Sequence, residues 1–336
     1  MTTQKLPVFL TVDTEIWPYK YGWPKASSLN LTDKDLAKQF AYCILGMTAQ
    51  GELGLRYQMA LLNRHGLRAT FFIEALHAAA VGDRWLAETV GMVTQAGHDI
   101  QMHAHTEWLS DASDPALPPH NKQFIREFSI PDQVRILSWV KKRLERCGAK
   151  KISAFRAGNF GASLDTLSAL AQIGVPIDSS YNKSFLGNAC MINAPEILHQ
   201  RCSLGQTDEF PVTVFMDYPG HFRPIHLAAC SSAEIERALL QAWHRGWNSF
   251  VMLWHGPELL RTDFNDNGPA RPSRIVIRRF ERMCSFLAEN RDKFQTMMFG
   301  DVTPSTPALD EDFAPLNSTP MLTAHRLFEQ VIGKVL

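Results

Sequence analysis

Four short stretches of the 336-residue chain gather residue types that do acid–base or metal chemistry. The apolar run Pro7–Val12 ends in Asp13-Thr14-Glu15. The run His98–His103 continues into Ala104-His105-Thr106-Glu107. Phe155-Arg156-Ala157-Gly158-Asn159 carries one arginine, and Val251–Trp254 leads directly into His255. Each set follows a strand-like run, where parallel α/β folds place their chemistry. Carboxylate oxygen and imidazole nitrogen suit zinc and other first-row divalent metals. If the strand runs on through His105, alternation puts His103 and His105 on one face. If a helical turn starts at His103, then His103 and Glu107 face together. Arg156 is suited to orient a carboxylate through a bidentate pair. His255, with a near-neutral pKa, is suited to general acid or base work. Glu209, ahead of Phe210-Pro211-Val212, is a weaker candidate. Taken singly, each residue has a plainer reading: helix cap, surface ion pair, core-edge histidine. Placing all four sets at one barrel mouth weakens that reading.

The elements that must position them alternate in type. Strand-like runs are Pro7–Val12, Arg68–Ile73, His98–His103, Lys151–Phe155, Val175–Asp178, Phe210–Phe215, Ser249–Trp254 and Phe294–Met298. Helical spacing marks Tyr57–His65, Trp85–Ala96, Asp132–Cys147, Leu164–Ile173, Ser232–Arg245 and Ser273–Asn290, several of them closed by glycine. Such alternation implies a parallel sheet wrapped by helices, and about seven units suggest a closed barrel. Trp17–Asp33, Leu109–Lys122, Phe264–Pro272 and Thr303–Pro320 read as irregular, and Met321–Val335 as a final helix. Residues 1–302 therefore read as one barrel, and 303–336 as a linker and C-terminal helix.

Composition bounds the function. Lys plus Arg and Asp plus Glu are both 34, so the formal net charge is zero, which gives no electrostatic case for nucleic acid or an anionic membrane surface. No apolar run reaches the ~20 residues that span a bilayer. The opening MTTQKLPVFLTVD has no long apolar leader or cleavage site, so a cytoplasmic protein is expected. The six cysteines are scattered, without zinc-finger spacing, and read as free thiols in a reducing compartment.

Together the motifs resemble the polysaccharide deacetylase, or NodB-homology, family of carbohydrate esterases (family 4). TVDTE at Thr11–Glu15 resembles its first motif, RATFFIEAL at Arg68–Leu76 its second core strand, and GHDIQMHAHTEW at Gly97–Trp108 its second motif. FRAGNFG at Phe155–Gly161 resembles the third and VMLWHG at Val251–Gly256 the last, with IDSSYN and EFPVTVF at positions where relatives carry similar segments. The likeness spans roughly Pro7 to Met298. It implies a distorted (β/α)7 barrel and hydrolysis of N- or O-acetyl groups on sugars with a divalent metal, zinc being the expected one.

By the same resemblance Asp13 falls on the general base, Arg156 on the residue that orients it, and His255 on the general acid. Glu15 and His103 fall on metal ligands. Thr14 stands where most relatives carry a second acid, and Glu107 where they carry a second histidine, for which His105 could substitute. Glu15, His103, His105 and Glu107 are thus the candidate metal ligands. Trp17, Tyr19, Trp108 and Asn159 are candidate substrate contacts. Trp17 and Tyr19, with Tyr21 and Trp23, either stack on sugar rings or anchor an irregular loop. The partner expected is a small-molecule or oligosaccharide substrate. Two alternatives stand beside this reading: a metal-independent hydrolase of cyclic amides or ureides, and a carbohydrate-binding barrel without catalysis.

Overall fold

The computed structural model describes residues 4–16, 33–118, 122–194, 197–261, 270–303 and 314–335. Eleven strands carry the argument: β1 (Leu6–Thr14), β2 (Thr70–Glu74), β3 (Asp99–Ala104), β4 (Ala154–Ala157), β5 (Ile177–Asp178), β6 (Cys202–Leu204), β7 (Thr207–Glu209), β8 (Val214–Tyr218), β9 (His221–Pro224), β10 (Phe250–His255) and β11 (Phe294–Met297). The main sheet runs β10-β1-β2-β3-β4-β5-β7-β6, with β11 also on β1. Every pairing from β10 round to β7 is parallel, and β6 closes the edge antiparallel to β7. Eight helices are used here: α1 (Asp33–Cys43), α2 (Leu55–Arg64), α3 (Arg84–Gln95), α4 (Ile130–Arg146), α5 (Leu164–Gln172), α6 (Ser232–His244), α7 (Arg274–Glu289) and α8 (Pro320–Val335). Strands joined by helices give the curled parallel sheet of a distorted (β/α)7 barrel, as the alternation predicts.

The two ends of the sheet meet through irregular backbone. Thr213 N donates to Val251 O (3.1 Å), Leu227 N to Leu253 O (3.1 Å), and Leu253 N to Ile225 O (3.1 Å). The sequence predicts one strand over Phe210–Phe215, but the run divides into β7, an irregular wall segment and β8. Pro211 has no N–H to give a ladder, which breaks the strand at that point. Val212 N still reaches Tyr181 O at 2.9 Å, so the barrel wall is continuous. The expected strand at Lys151–Phe155 starts later, at Ala154. Gln101 Oε1 takes the N–H groups of Ser153 and Ala154, both at 2.8 Å, in place of ladder bonds there. Helix α1 and the β8–β9 hairpin were not anticipated from the pattern.

Period-two alternation sorts each strand into two faces. Outward residues such as Leu10, Val12, Ile100 and Met102 join the large core under the helices. Inward, Phe9, Phe72, Ala154, Ile177, Phe210 and Val251 form a separate cluster plugged by Phe299. Phe299 stacks on Phe9 at 4.7 Å and meets Phe210 edge-on at 5.1 Å. This apolar plug fills the barrel floor. Inward residues further along β1, β3, β4 and β10 therefore line its mouth: Thr11, Asp13, His103, Arg156 and His255.

Helix α8 packs on the barrel flank through its charges. Arg326, 1% exposed, gives Nη2 to Asp217 at 2.8 Å and Nε to Glu234 at 3.1 Å. Arg279 of α7 reaches Glu329 at 2.7 Å. Met321, Leu327, Phe328 and Val331 face outward. Among the described residues no helix is long and apolar enough to cross a membrane.

Candidate functional site at the barrel mouth

Asp13 is the penultimate residue of β1 and lies in register with His255 of β10. Its carboxylate Oδ1 accepts from Arg156 Nη1 at 2.7 Å, and both residues are buried. Arg156 is fixed from several sides. Nη1 also donates to Thr11 Oγ1 (2.9 Å), Nε to Ser179 O (3.0 Å), and Nη2 to Ser179 Oγ (3.0 Å). The guanidinium lies 4.3 Å from the Phe72 ring centroid, on the apolar plug. The bidentate fork expected from sequence is not formed. Arg156 meets Asp13 through Nη1 alone, because Nε and Nη2 are committed to Ser179. Oδ2 of Asp13 is thereby left without a bond from the guanidinium.

Two residues on, Glu15 Oε1 lies 3.0 Å from His103 Nε2 and 3.2 Å from His105 Nε2. The strand alternation holds through His105, whose backbone is extended (φ −98°, ψ 100°), before a turn begins at Thr106. The other nitrogen of each ring is engaged. His103 Nδ1 donates to Arg156 O at 2.7 Å, and His105 Nδ1 faces Glu107 Oε2 at 3.2 Å. A carbonyl oxygen only accepts, so the proton of a neutral His103 sits on Nδ1 and its Nε2 lone pair faces Glu15. The same holds for His105 against Glu107.

Three lone pairs thus converge, which demands either protons on the Nε2 atoms or a cation between them. Ligand atoms about 2.0–2.2 Å from a tetrahedral zinc are ~3.3–3.5 Å apart, close to the spacings seen. Glu15, His103 and His105 form one of the groups among the described residues whose ligand atoms all lie within 4.8 Å of one another. The donor set fits a divalent metal. Burial opposes charge on Glu15, but the His105 charge and hydrogen bonds from both imidazoles hold its carboxyl well below the usual range. Burial likewise opposes charge on His105, and Glu15 and Glu107 reverse it, raising the imidazole well above its usual value.

His255 stands across the mouth, half-buried. Its Nδ1 meets Glu258 Oε1 at 2.8 Å, and its backbone N–H donates to the same oxygen at 2.7 Å. His226 Nε2 meets that oxygen too, at 2.8 Å. Burial would lower the His255 pKa. The Glu258 hydrogen bond and the charges of Glu258, Glu15 and Asp13 instead raise it to about 9. Burial would raise Glu258, but His226 and His255 hold it down to about 2. Sequence reasoning missed Glu258 and His226. A carboxylate three residues past His255, across Pro257, was the available signal for the first. Nothing local marks His226, which reaches the site from a separate segment.

The remaining candidates are placed as follows. Glu107 is 1% exposed and lies on the Nδ1 side of His105, outside the converging group. Its Oε1 accepts from Asn159 Nδ2 at 2.8 Å. Trp108 is also 1% exposed, its ring edge toward His77 (centroids 6.2 Å apart), and offers no face to a sugar. Its turn carries it into the core instead. Trp17 and Tyr19 lie outside the described residues. Burial and the neighbouring Asp178 carboxylate push Glu209 well up, which favours the neutral acid within the barrel wall.

No known family's sequence pattern and no curated protein matches the chain. Solved structures do. A Mycobacterium smegmatis protein designated a polysaccharide deacetylase aligns at 16% identity and TM-score 0.50, over 92% of this chain and 96% of its own. A family 4 carbohydrate esterase from Streptomyces lividans, in complex with acetate, aligns at 14% identity and TM-score 0.42, over 89% and 98%. A family 4 pseudoenzyme from Bacillus anthracis aligns at 10% identity and TM-score 0.39, over 87% and 64%. At the first of these likenesses, which spans nearly the whole of both chains, this protein has the fold of a polysaccharide deacetylase.

Proposed function

We propose that the protein is a metal-dependent hydrolase that removes an acetyl group from an N- or O-acetylated sugar or glycoconjugate. One observation carries this reading: a carboxylate facing two imidazoles, a buried Asp–Arg pair and a third imidazole bonded to Glu258 share one barrel mouth. Glu15, His103 and His105 would hold the cation. When bound there, a divalent metal, zinc by its ligand chemistry, supplies a Lewis acid that polarises the acetyl carbonyl and activates water.

The protein's own groups do the rest. Arg156 fixes Asp13 Oδ1 and leaves Oδ2 to take the proton of the attacking water. His255, its pKa raised to about 9, is protonated at neutral pH and gives its proton to the leaving nitrogen or oxygen. The C–N or C–O bond breaks, and acetate and the free amine or hydroxyl result. The cysteines are all free and most are buried, which supports a reducing compartment such as the cytoplasm. A soluble acetylated sugar or sugar conjugate is the substrate such a compartment would offer.

The test is elemental analysis of the purified protein, paired with acetate release from N-acetylated amino sugars and chito-oligosaccharides. About one divalent ion per chain, lost in His103→Ala together with acetate release, is the expected result. A folded protein that takes up no metal on supplementation would overturn the reading. Hydrolysis of cyclic amides by that metal-free protein would point to the same barrel working without a cation.

A further inference from the structure

We propose that Glu107, Asn159 and Gly158 form a cradle that orients His105 as a metal ligand. This rests on the metal reading of the Glu15–His103–His105 group. His105 is held from two sides. Along its edge, Nδ1 faces Glu107 Oε2 at 3.2 Å. Against its face lies Gly158: a Cβ there would sit 2.8 Å from both Cγ and Nδ1 of His105 and 2.7 Å from Ala104 O. The ring therefore occupies the space that any other residue at 158 would fill.

Glu107 has no slack. It is 1% exposed, and its second oxygen is taken by Asn159 Nδ2 at 2.8 Å. Asn159 reaches it from a backbone that L residues seldom adopt. Asn159 (φ 54°) and Phe160 (φ 56°) are the non-glycine residues with positive φ among those described, and they are consecutive. Asparagine tolerates this region, whereas an aromatic residue rarely enters it. The turn is held by Gly161 N donating to Gly158 O at 3.0 Å and by Phe160 stacking on Phe185 at 5.5 Å. Strain placed at this turn, with its one polar side chain aimed at Glu107, is the pattern of a segment serving a site.

The chemistry follows from donor counting. A carboxylate flanked by an amide NH2 accepts from both sides, so Glu107 keeps the proton of a neutral His105 on Nδ1 and aims Nε2 at Glu15. Glu107 thus acts through His105 and is a positioning residue. Replacing it with glutamine sets the new NH2 against either the His105 N–H or the Asn159 NH2. The double variant Glu107→Gln/Asn159→Asp reverses the pair. The glutamine oxygen then accepts from His105 while its NH2 donates to the aspartate, and total charge is kept.

The experiment is zinc affinity by competition with a chromophoric chelator, with the visible spectrum of the cobalt-loaded protein as a second readout. Glu107→Gln is expected to weaken zinc about 10–100-fold and perturb the cobalt bands. The double variant should recover most of both. Asn159→Gly, which tolerates the left-handed backbone and removes only the amide, supplies the same comparison if Glu107→Gln does not fold. Parent-like affinity in Glu107→Gln, or a double variant no better than the single, would overturn the cradle while leaving the metal site intact. A folded parent that binds no zinc would overturn the metal reading and the cradle with it.

Discussion

The barrel mouth and the seat of helix α8 both bury charged side chains, and they arrange them in opposite ways. At the seat each acceptor meets a donor. Asp217 Oδ2 takes Arg223 and Arg326, and Oδ1 takes His221. Glu234 Oε1 takes Arg326 Nε, while Oε2 takes the N–H and hydroxyl of Ser231, capping α6. At the mouth, Glu15 Oε1 faces two Nε2 atoms whose rings already give their Nδ1 protons elsewhere. Glu258 Oε1 is likewise shared by two imidazoles and a backbone N–H. A saturated buried network fixes structure. Where imidazoles converge on one carboxylate oxygen, the set must either take up protons or hold a cation.

The comparison predicts a separation of effects. Asp13→Asn removes the base, and acetate release should fall by about 10²–10⁴-fold. The amide can still accept from Arg156 through its oxygen, so the fold and zinc binding should persist. Near-parental turnover in this variant would remove Asp13 from the chemistry and return the mouth to a binding role. Arg326→Met should do the reverse. It leaves Asp217 and Glu234 buried without their shared cation, at a cost of about 3–5 kcal/mol, read by urea unfolding. Zinc affinity and turnover per folded molecule should not move. A drop in turnover per folded molecule would show that the α8 seat and the mouth are coupled.

The two regions also differ in how far the sequence discloses them. The mouth is legible because strand period two fixes direction: Thr11 and Asp13 on one strand, with Glu15 in step just past it, and His103 on another, with His105 in step just past it, must point into one lumen. Whether His103 pairs with His105 or Glu107 depends on the residue at which the extended backbone ends. That is settled by the turn beginning at Thr106, after His105. Arg156 lies beside Asp13, but its single-pronged bond depends on Ser179, just past the end of β5. The α8 seat is not legible. Its helix turns Arg326 and Glu329 toward the barrel and Met321, Phe328 and Val331 outward, against the usual amphipathic rule. Trp108 misleads for a related reason. A tryptophan beside ligand residues suggests a stacking platform, yet the turn that follows His105 carries it into the core.

A smaller effect tests whether sharing one carboxylate tunes an acid. His255 is raised to about 9, chiefly by Glu258 acting against burial. As the acid it must be protonated, so kcat should hold through neutral pH and fall as pH rises through about 9. Glu258→Gln removes the largest raising influence. The fall should then move toward the ~6.5 of an unperturbed imidazole, lowering turnover at pH 8 by up to about thirtyfold. Turnover at pH 6 should change least, because the imidazole is still largely protonated there. Stability gives the matching sign. A group whose folded pKa is raised stabilises the fold fully below its unfolded pKa and loses that contribution as pH rises through the folded value. Unfolding free energy should therefore decline between about pH 6.5 and 9 in the parent, and decline less in Glu258→Gln. A basic limb that stays in place when Glu258 is replaced would separate His255 from the proton that reaches the leaving group. The pair with Glu258 would then resemble the α8 seat, a contact that holds structure and does no chemistry.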